Sequence, residues 1–406
     1  MKCRGCGDQL LLTFLDLGFS PIANDLIGPK NLNQSETYFP LRAMTCTKCA
    51  LVQLPEVAIR ETLFRDDYVY FSSYSTSWLA HSRDYVSQMA SYLDLSADDL
   101  VIEVASNDGY LLQYFTEVGI EVLGIEPASG VAEIAIKKGI PTLIEFFGEE
   151  VSKKLAEKKK PKLMLGNNVL AHVPNIHDFI KGFSLLIAEN GLITFEFPHL
   201  LNLIRSNQFD TIYHEHYSYL SVTALIPIFR NQGLRIINVE KLTTHGGSLR
   251  IFVAKTDSSW QTQDSVENTI EEEATLDPRI QEVRTSLLER ALLTKLDLLE
   301  ELIKCKKKGL RVAAYGAAAK GNTLLNYSGI KSDLIEYVVD LNPHKQGNLL
   351  PGSRIPIVGE KKLIESPPDV LLVLPWNLFD EIKEQLSYLS KDGIKFLRAI
   401  PQLEYS

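Results

Sequence analysis

The sequence predicts an α/β protein of two doubly wound parallel sheets joined to a small metal-binding module. Short β-branched segments alternate with helix-like stretches at 99–257, and the alternation restarts at 308–406. A charged, leucine-spaced stretch, 258–307, separates these two runs. Two Cys-x-x-Cys pairs lie within the first fifty residues.

The chain has 406 residues, too many for one ordinary domain, and 45% of them are hydrophobic against 23% charged. A net charge of −9 opposes the positive field that nucleic acid or an anionic membrane would need. The start, "MKCRGCGDQLLLTFLDLG", lacks the long apolar stretch of a signal peptide, and no window approaches a membrane span. A cytoplasmic protein is expected, acting as a monomer without nucleic-acid or membrane partners. In a reducing compartment its cysteines are thiols or metal ligands.

The first element, 1–62, reads as short strands and turns around "CRGC" and "CTKC". Cys3, Cys6, Cys46 and Cys49 form two turns of two thiolates each, which together complete a tetrahedral site for zinc. Four thiolates leave no open position, so this zinc is structural. Buried thiols or a redox pair are the alternatives. Residues 63–98 follow, a tyrosine-rich connector or lid that enters a helix near Ser75.

In the central unit, "LVIEVASND" is a first strand and "GYLLQYFTEVG" its helix. "EVLGIEPA", "TLIEFFG", "PKLMLGN" and "GLITFEFP" supply four more strands. The linker holds one long amphipathic helix, ending at Gly309 behind a lysine run that suits the helix dipole. The smaller unit repeats the pattern through "RVAAYGAAAKGNTLLN", "IEYVVDLN", "DVLLVLP" and "IKFLRAI".

Ligands of open α/β sheets sit at the carboxyl ends of the strands. There the first loop runs from Glu103 to Gly109 and the second strand ends in Glu126 and Pro127. An acid at that second position can bind both hydroxyls of an adenosine ribose. A dinucleotide needs G-x-G-x-x-G because pyrophosphate rests on backbone amides. Here Ala105 and Asn107 replace glycines, Gly109 alone survives, and Asp108 would repel pyrophosphate. S-adenosylmethionine (SAM) carries no phosphate, and its cationic groups suit Glu103 and Asp108. The central unit is therefore read as a Rossmann-like SAM-methyltransferase sheet, with Asn168 of the fourth strand's loop added to the cofactor set. An NAD-type site is the alternative.

This three-part layout resembles the SAM-dependent nucleotide-sugar C-methyltransferases of deoxysugar biosynthesis. The resemblance spans essentially the whole chain, through "LGFSPIAND", "YFSSYS", "IEVASNDGYLL", "NNVLAHVPN", "FDTIYHEHYSYLS", "HGGSLR" and "YGAAAKGNTLLN". It implies methylation of a nucleotide-diphospho-4-keto-6-deoxy sugar, taken as dTDP-linked, at C3 with C5 as the alternative. A ketone acidifies the neighbouring C–H; a base removes the proton, and the enolate carbon takes the methyl group. Such chemistry needs a base working near neutrality and donors for the enolate oxygen.

The stretch "YHEHY" contains those types. His216 is the preferred base, since imidazole ordinarily titrates nearest neutrality. Glu215 would orient it or share the proton, and Tyr213 would donate to the enolate oxygen. The resemblance implies that these three match the family's active-site group, completed by His172 and by Tyr68 or Tyr70. An extended strand would point His216 away from Tyr213 and Glu215, so convergence demands a bend. A His-x-His metal site and a plain structural strand are the competing readings.

For the substrate, "YGAAAKGNT" follows a strand and opens a helix, where backbone amides hold anions, with Lys320 and Asn322 beside it. The "HGGSLR" segment offers His245 and Arg250, unless it is a simple hairpin turn. Tyr74 and His214 complete the substrate candidates. An NAD-dependent oxidoreductase or epimerase and a non-catalytic zinc-ribbon binding protein remain the other functions.

Overall fold

The computed structural model describes residues 1–57, 71–391 and 393–406. Strands β1 (Leu12–Ser20), β2 (Phe39–Thr45) and β3 (Val52–Gln53) form the N-terminal sheet as antiparallel neighbours. Its fourth member comes from the central unit: β9 (Ser218–Tyr219) pairs with β3.

The central sheet contains β4 (Leu100–Val104), β5 (Glu121–Ile125), β6 (Thr142–Leu143), β7 (Leu163–Asn167) and β8 (Leu192–Pro198), extended by β10 (Leu234–Leu242) and β11 (Ser248–Lys255). Its order is β10-β11-β8-β7-β4-β5-β6. β4 to β8 pair in parallel, and β11 runs antiparallel to β8. All five residues of β4 are buried, as expected of a strand covered on both faces. Strand order reverses beside β4, so its carboxyl end and that of β7 open a crevice. The β10–β11 hairpin adds two strands to the five legible in sequence, and "HGGSLR" is its turn and the start of β11.

The connector helix spans Thr76–Tyr92, with Ser75 accepting from the Trp78 amide as its N-cap. The long helix covers Gln281–Lys307, with Lys304, Lys306 and Lys307 in its last turn. Its inner face, Leu287, Ala291, Leu298 and Leu302, is buried in a core shared with Phe14 and Leu15 of β1 and with Val312 and Leu325. This helix therefore fastens the N-terminal module to the last unit by apolar burial.

That unit is a second sheet of β12 (Val312–Tyr315), β13 (Val338–Val339), β14 (Ile357–Val358), β15 (Val370–Val373), β16 (Lys395–Arg398) and β17 (Glu404–Tyr405). The order is β14-β13-β12-β15-β16-β17, parallel except for β17. The helix Ala319–Ser328 follows β12. No helix among the described residues is long and apolar enough to cross a membrane.

Candidate active site

The four N-terminal thiols converge, with every sulfur within 4.8 Å of the others. Cys3 and Cys49 are 3.6 Å apart, Cys6 and Cys46 3.5 Å. A tetrahedron with Zn–S bonds of about 2.3 Å has edges of about 3.8 Å, so the donor set fits zinc. The Gln53 amide and the Gly5 N–H donate to Cys3 Sγ at 3.1 and 3.3 Å. Such donors orient a ligand and temper its charge. The same module steadies the chain beyond the "YHEHY" stretch. Gln53 lies opposite Ser218, and the Arg4 guanidinium donates to the carbonyls of Tyr217 and Leu54.

A cavity of about 350 Å³ opens at the crevice of the central sheet. One end is bounded by Ala105, Asn107, Ile125, Glu126, Pro127 and Phe147. Ala105 and Asn107 adopt left-handed φ values of 61° and 49°, and Gly109 75°. The loop thus keeps a glycine-type path with side chains that strain it, as functional loops often do. Glu126 Oε2 accepts from the Asn107 amide at 3.0 Å and Oε1 from the Ala128 amide at 2.9 Å. Burial pushes its carboxyl up to about 7, against the pull of those two amides. The side-chain oxygens of Asn167 and Asn168, both on cavity-lining residues, are buried without a partner among the described residues. Buried acceptors demand donors, and the amino and hydroxyl groups of SAM supply them. Apolar walls beside a strand-end acid complete the fit.

Three cofactor candidates lie outside the cavity lining, which departs from the direct contacts expected of them. Asp108 is drawn aside by Lys138 Nζ at 3.2 Å and by the Ser73 hydroxyl. Gly109 packs on Ala135 and Ile140, where a Cβ would come within 3.2 and 3.1 Å. Glu103 is fully buried within β4, and burial raises its carboxyl well above the usual range.

At the other end the "YHEHY" stretch is a turn, with the His216 amide donating to the Tyr213 carbonyl at 2.9 Å. This bend supplies the convergence a strand would forbid: Tyr213, Glu215 and His216 all line the cavity with His172. His214 faces away, its Nε2 on the Pro40 carbonyl at 3.3 Å and its ring against Phe39. His216 Nδ1 donates to the Thr211 carbonyl at 3.0 Å, which leaves Nε2 to accept from the Tyr213 hydroxyl at 2.8 Å. His172 Nδ1 donates to the Glu215 carbonyl at 2.8 Å, its ring 4.7 Å from that of His216. Both Glu215 oxygens accept from the Asn24 amide, at 2.9 and 2.7 Å. Burial reverses the ordinary order of these groups. It lowers His172 to about 4 and His216 well below the usual imidazole range, with His172 adding to the second shift. It raises Glu215 to about 7. At neutral pH both imidazoles are uncharged lone-pair acceptors, and the carboxyl is the titrating group.

The third wall comes from the C-terminal unit through Ala318, Ala319, Lys320 and Lys345. Lys320 Nζ donates to Asn377 Oδ1 at 2.6 Å and lies 4.8 Å from the Trp376 ring centre. His245, from the β10–β11 turn, also lines the cavity. Besides His214, Arg250 and Asn322 are substrate candidates that do not. Arg250 is buried on β11, paired with Glu196 at 2.9 Å and Glu240 at 3.2 Å and stacked on Tyr85. Asn322 is buried inside its helix, its amide without a partner among the described residues. Tyr68 and Tyr70 lie outside the described residues, and Tyr74 sits in the short 3₁₀ turn Ser72–Tyr74.

Comparison with known proteins decides the family. The chain is 33% identical to the C-methyltransferase NovU of Streptomyces niveus across 99% of its own length and 96% of that protein. Family models match a zinc binding domain at residues 3–64, a methyltransferase domain at 79–239 and a C-methyltransferase C-terminal domain at 243–401. The chain belongs to the C-methyltransferase family. Among solved structures, it is similar to an S-adenosylmethionine-dependent methyltransferase of Clostridium acetobutylicum, at 11% identity over 43% of this chain and 90% of that one, with a TM-score of 0.35. A magnesium protoporphyrin IX methyltransferase of Synechocystis PCC 6803, solved with bound SAM, is similar at 13% identity over 50% of this chain and 100% of that one, with a TM-score of 0.36.

This C-methyltransferase is thus a SAM-dependent enzyme with a zinc-binding module. Sequence reasoning missed several residues of its cavity, among them Asn24, Trp78, Tyr110, Asn167 and Lys345. Asn24 stands in "LGFSPIAND", a motif that carried the resemblance without suggesting a role. Lys345 and Trp78 gave no signal, because their places depend on packing between segments far apart in the chain.

Proposed function

We propose that this C-methyltransferase methylates a ring carbon of a nucleotide-diphospho-4-keto-6-deoxy sugar, dTDP-linked and at C3, through a base-generated enolate. One observation carries the reading. A turn bearing a carboxyl of raised pKa and a tyrosine–histidine pair faces the same cavity as the loop and acid suited to SAM. When bound, SAM supplies an electrophilic methyl group. The protein's part is to make a carbon nucleophile and keep water out.

His216 accepts the ring proton, directly or through Tyr213, whose hydroxyl proton already points at Nε2. Glu215 beside it takes up or returns that proton near neutral pH. Asn24 fixes the carboxylate, and the Thr211 and Glu215 carbonyls fix the tautomers of His216 and His172. Lys345 and the amides at the start of helix Ala319–Ser328 offer a cationic wall for a diphosphate.

The test is incubation with dTDP-4-keto-6-deoxy sugars in deuterated water, with and without SAM. Deuterium should enter at one ring carbon without SAM, and a methyl group should appear there with it. Exchange should be lost in His216→Ala and strongly reduced in Glu215→Gln. Persistence of full exchange in both variants would refute the assignment of the base.

A further inference from the structure

The proton arrangement leaves one role unfilled. Tyr213, first expected to serve the enolate oxygen, spends its proton on His216 Nε2, because His216 Nδ1 is committed to the Thr211 carbonyl. An enolate generated in this cavity still needs donors, and two lie on its wall with hydrogens to spare.

The first is His245. Its Nε2 meets the Asn168 Nδ2 amide at 3.1 Å; an amide N–H can only donate, so the ring proton sits on Nδ1. Nδ1 has no partner among the described residues, and the ring lines the cavity. The backbone is forced into place to put it there. His245 has φ 53° and is followed by Gly246 and Gly247 at 87° and 114°. A Cβ on Gly246 would come within 2.5 Å of the Trp376 ring, so the turn is clamped too closely for any larger residue. The Gln208 amide holds the Gly246 carbonyl at 2.7 Å, and the Thr244 hydroxyl holds Glu196 at 2.8 Å. Asn168, with φ 54°, is in the same left-handed region. Two strained residues held face to face indicate a function that repays the strain.

The second is Lys320. Asn377 takes one of its three hydrogens, the Trp376 face shields another side, and no carboxylate among the described residues lies within 4.0 Å. Burial disfavours its charge and Asp210 supports it only from beyond that distance, so an anionic ligand in direct contact would favour the ammonium further. Its charge reaches both His216 and His245, so it stands near the reacting end of the cavity. Trp376 joins the two donors, since one ring packs on the His245 turn and carries the Lys320 ammonium. The Trp376 indole N–H is fixed by Asp210 Oδ2 at 2.8 Å.

We infer that His245 Nδ1–H and Lys320 Nζ–H together form the oxyanion pocket for the enolate, with the C-terminal unit contributing a catalytic residue as well as a wall. The inference rests on the ketosugar reading above. In this step the base takes the ring proton and the C–H pair becomes a carbon–carbon π bond. The carbonyl π pair moves to oxygen, whose negative charge meets the two donors; nothing is oxidised or reduced.

The test uses the full zinc-loaded enzyme and the same 4-ketosugar in deuterated water without SAM. Lys320→Met and His245→Ala should each slow ring-carbon exchange at saturating substrate by roughly 100- to 1,000-fold. Affinity for dTDP and for SAM should stay within about threefold of the wild type, and His245→Asn, which keeps a donor, should recover part of the rate. If Lys320→Met instead loses dTDP affinity while exchange at saturation is intact, the lysine grips the diphosphate and the inference is overturned. Unchanged exchange in His245→Ala overturns it as well, and that variant decides the matter if Lys320→Met does not retain zinc and SAM binding. A wild-type enzyme that neither exchanges nor methylates any such sugar would sink the ketosugar reading itself.

Discussion

The two parallel sheets carry nearly the same device at their strand ends and use it for opposite purposes. In the central unit, Glu126 after β5 ties down the first loop through the Asn107 amide. In the C-terminal unit, Asp340 after β13 does likewise, accepting from the Ala317 amide at 2.8 Å and the Asn342 amide at 2.9 Å, with Lys345 at 3.6 Å. What differs is the neighbouring strand. β7 ends in Asn167, followed by Asn168, and leaves a gap, whereas β15 runs into Leu374, Pro375 and Trp376 and fills it. A Cβ on Gly316 would sit 2.5 Å from Pro375, and one on Gly321 2.7 Å from Leu374. The second sheet therefore closes its own crevice and offers the loop to the first. A glycine loop and a strand-end acid do not make a site unless the adjoining strand withdraws.

The sharpest way to break this comparison is at the closed crevice. Gly316→Ala places a methyl group against Pro375 at φ 88° and should cost about 3 kcal/mol or more in urea melts. A cost below about 1 kcal/mol would mean the crevice is not sealed.

Next comes pH. Glu215 titrates near 4.5 in an unfolded chain but at about 7 here, because burial disfavours its charge. The folded protein holds this proton more tightly, so the stability it contributes is full below about pH 4.5 and is lost as pH rises through 7. The difference between wild type and Glu215→Gln should therefore drift by about 3 kcal/mol across that window, with the variant gaining. A flat difference would show that the carboxyl is not desolvated.

The strand-end acids should part company in ligand binding. Glu126→Ala should weaken SAM by about 30-fold, roughly 2 kcal/mol, in calorimetry. Asp340→Ala should leave SAM affinity within about threefold while slowing turnover, because the loop carrying Lys320 loses its anchor. Equal losses of SAM affinity in both would erase the distinction. The smallest effect is expected at Ala105, where φ is 61°. Ala105→Gly relieves left-handed strain and should stabilise the protein by up to about 1 kcal/mol.

Much of this was legible in the sequence, for physical reasons that vary by element. Four cysteines at Cys-x-x-Cys spacing point to a metal because few other folds need that pattern, and β4, β5 and β7 were visible as short, mostly apolar runs. Glu126 was found because a strand-end position is defined locally. The ordering of the titrating groups was not legible. His216 ranked as the group nearest neutrality from its ordinary pKa, and burial then pushed the imidazole down and Glu215 up. Arg250 and His214 looked available as isolated polar residues, but Glu196 and the Pro40 carbonyl engage them. The Asn24–Glu215 bond joins segments 191 residues apart, beyond the reach of any local pattern.

Strand β9 ties the order of assembly to the order of synthesis. The metal module's sheet has an unpaired edge at β3 until Ser218 and Tyr219 arrive, long after the cysteines have left the ribosome. The same late segment follows the Tyr213–His216 turn, so sealing that edge also seats the turn that faces the cavity. Until the second half of the central unit has been made, the open edge of β3 leaves the growing chain prone to pairing with a stray strand.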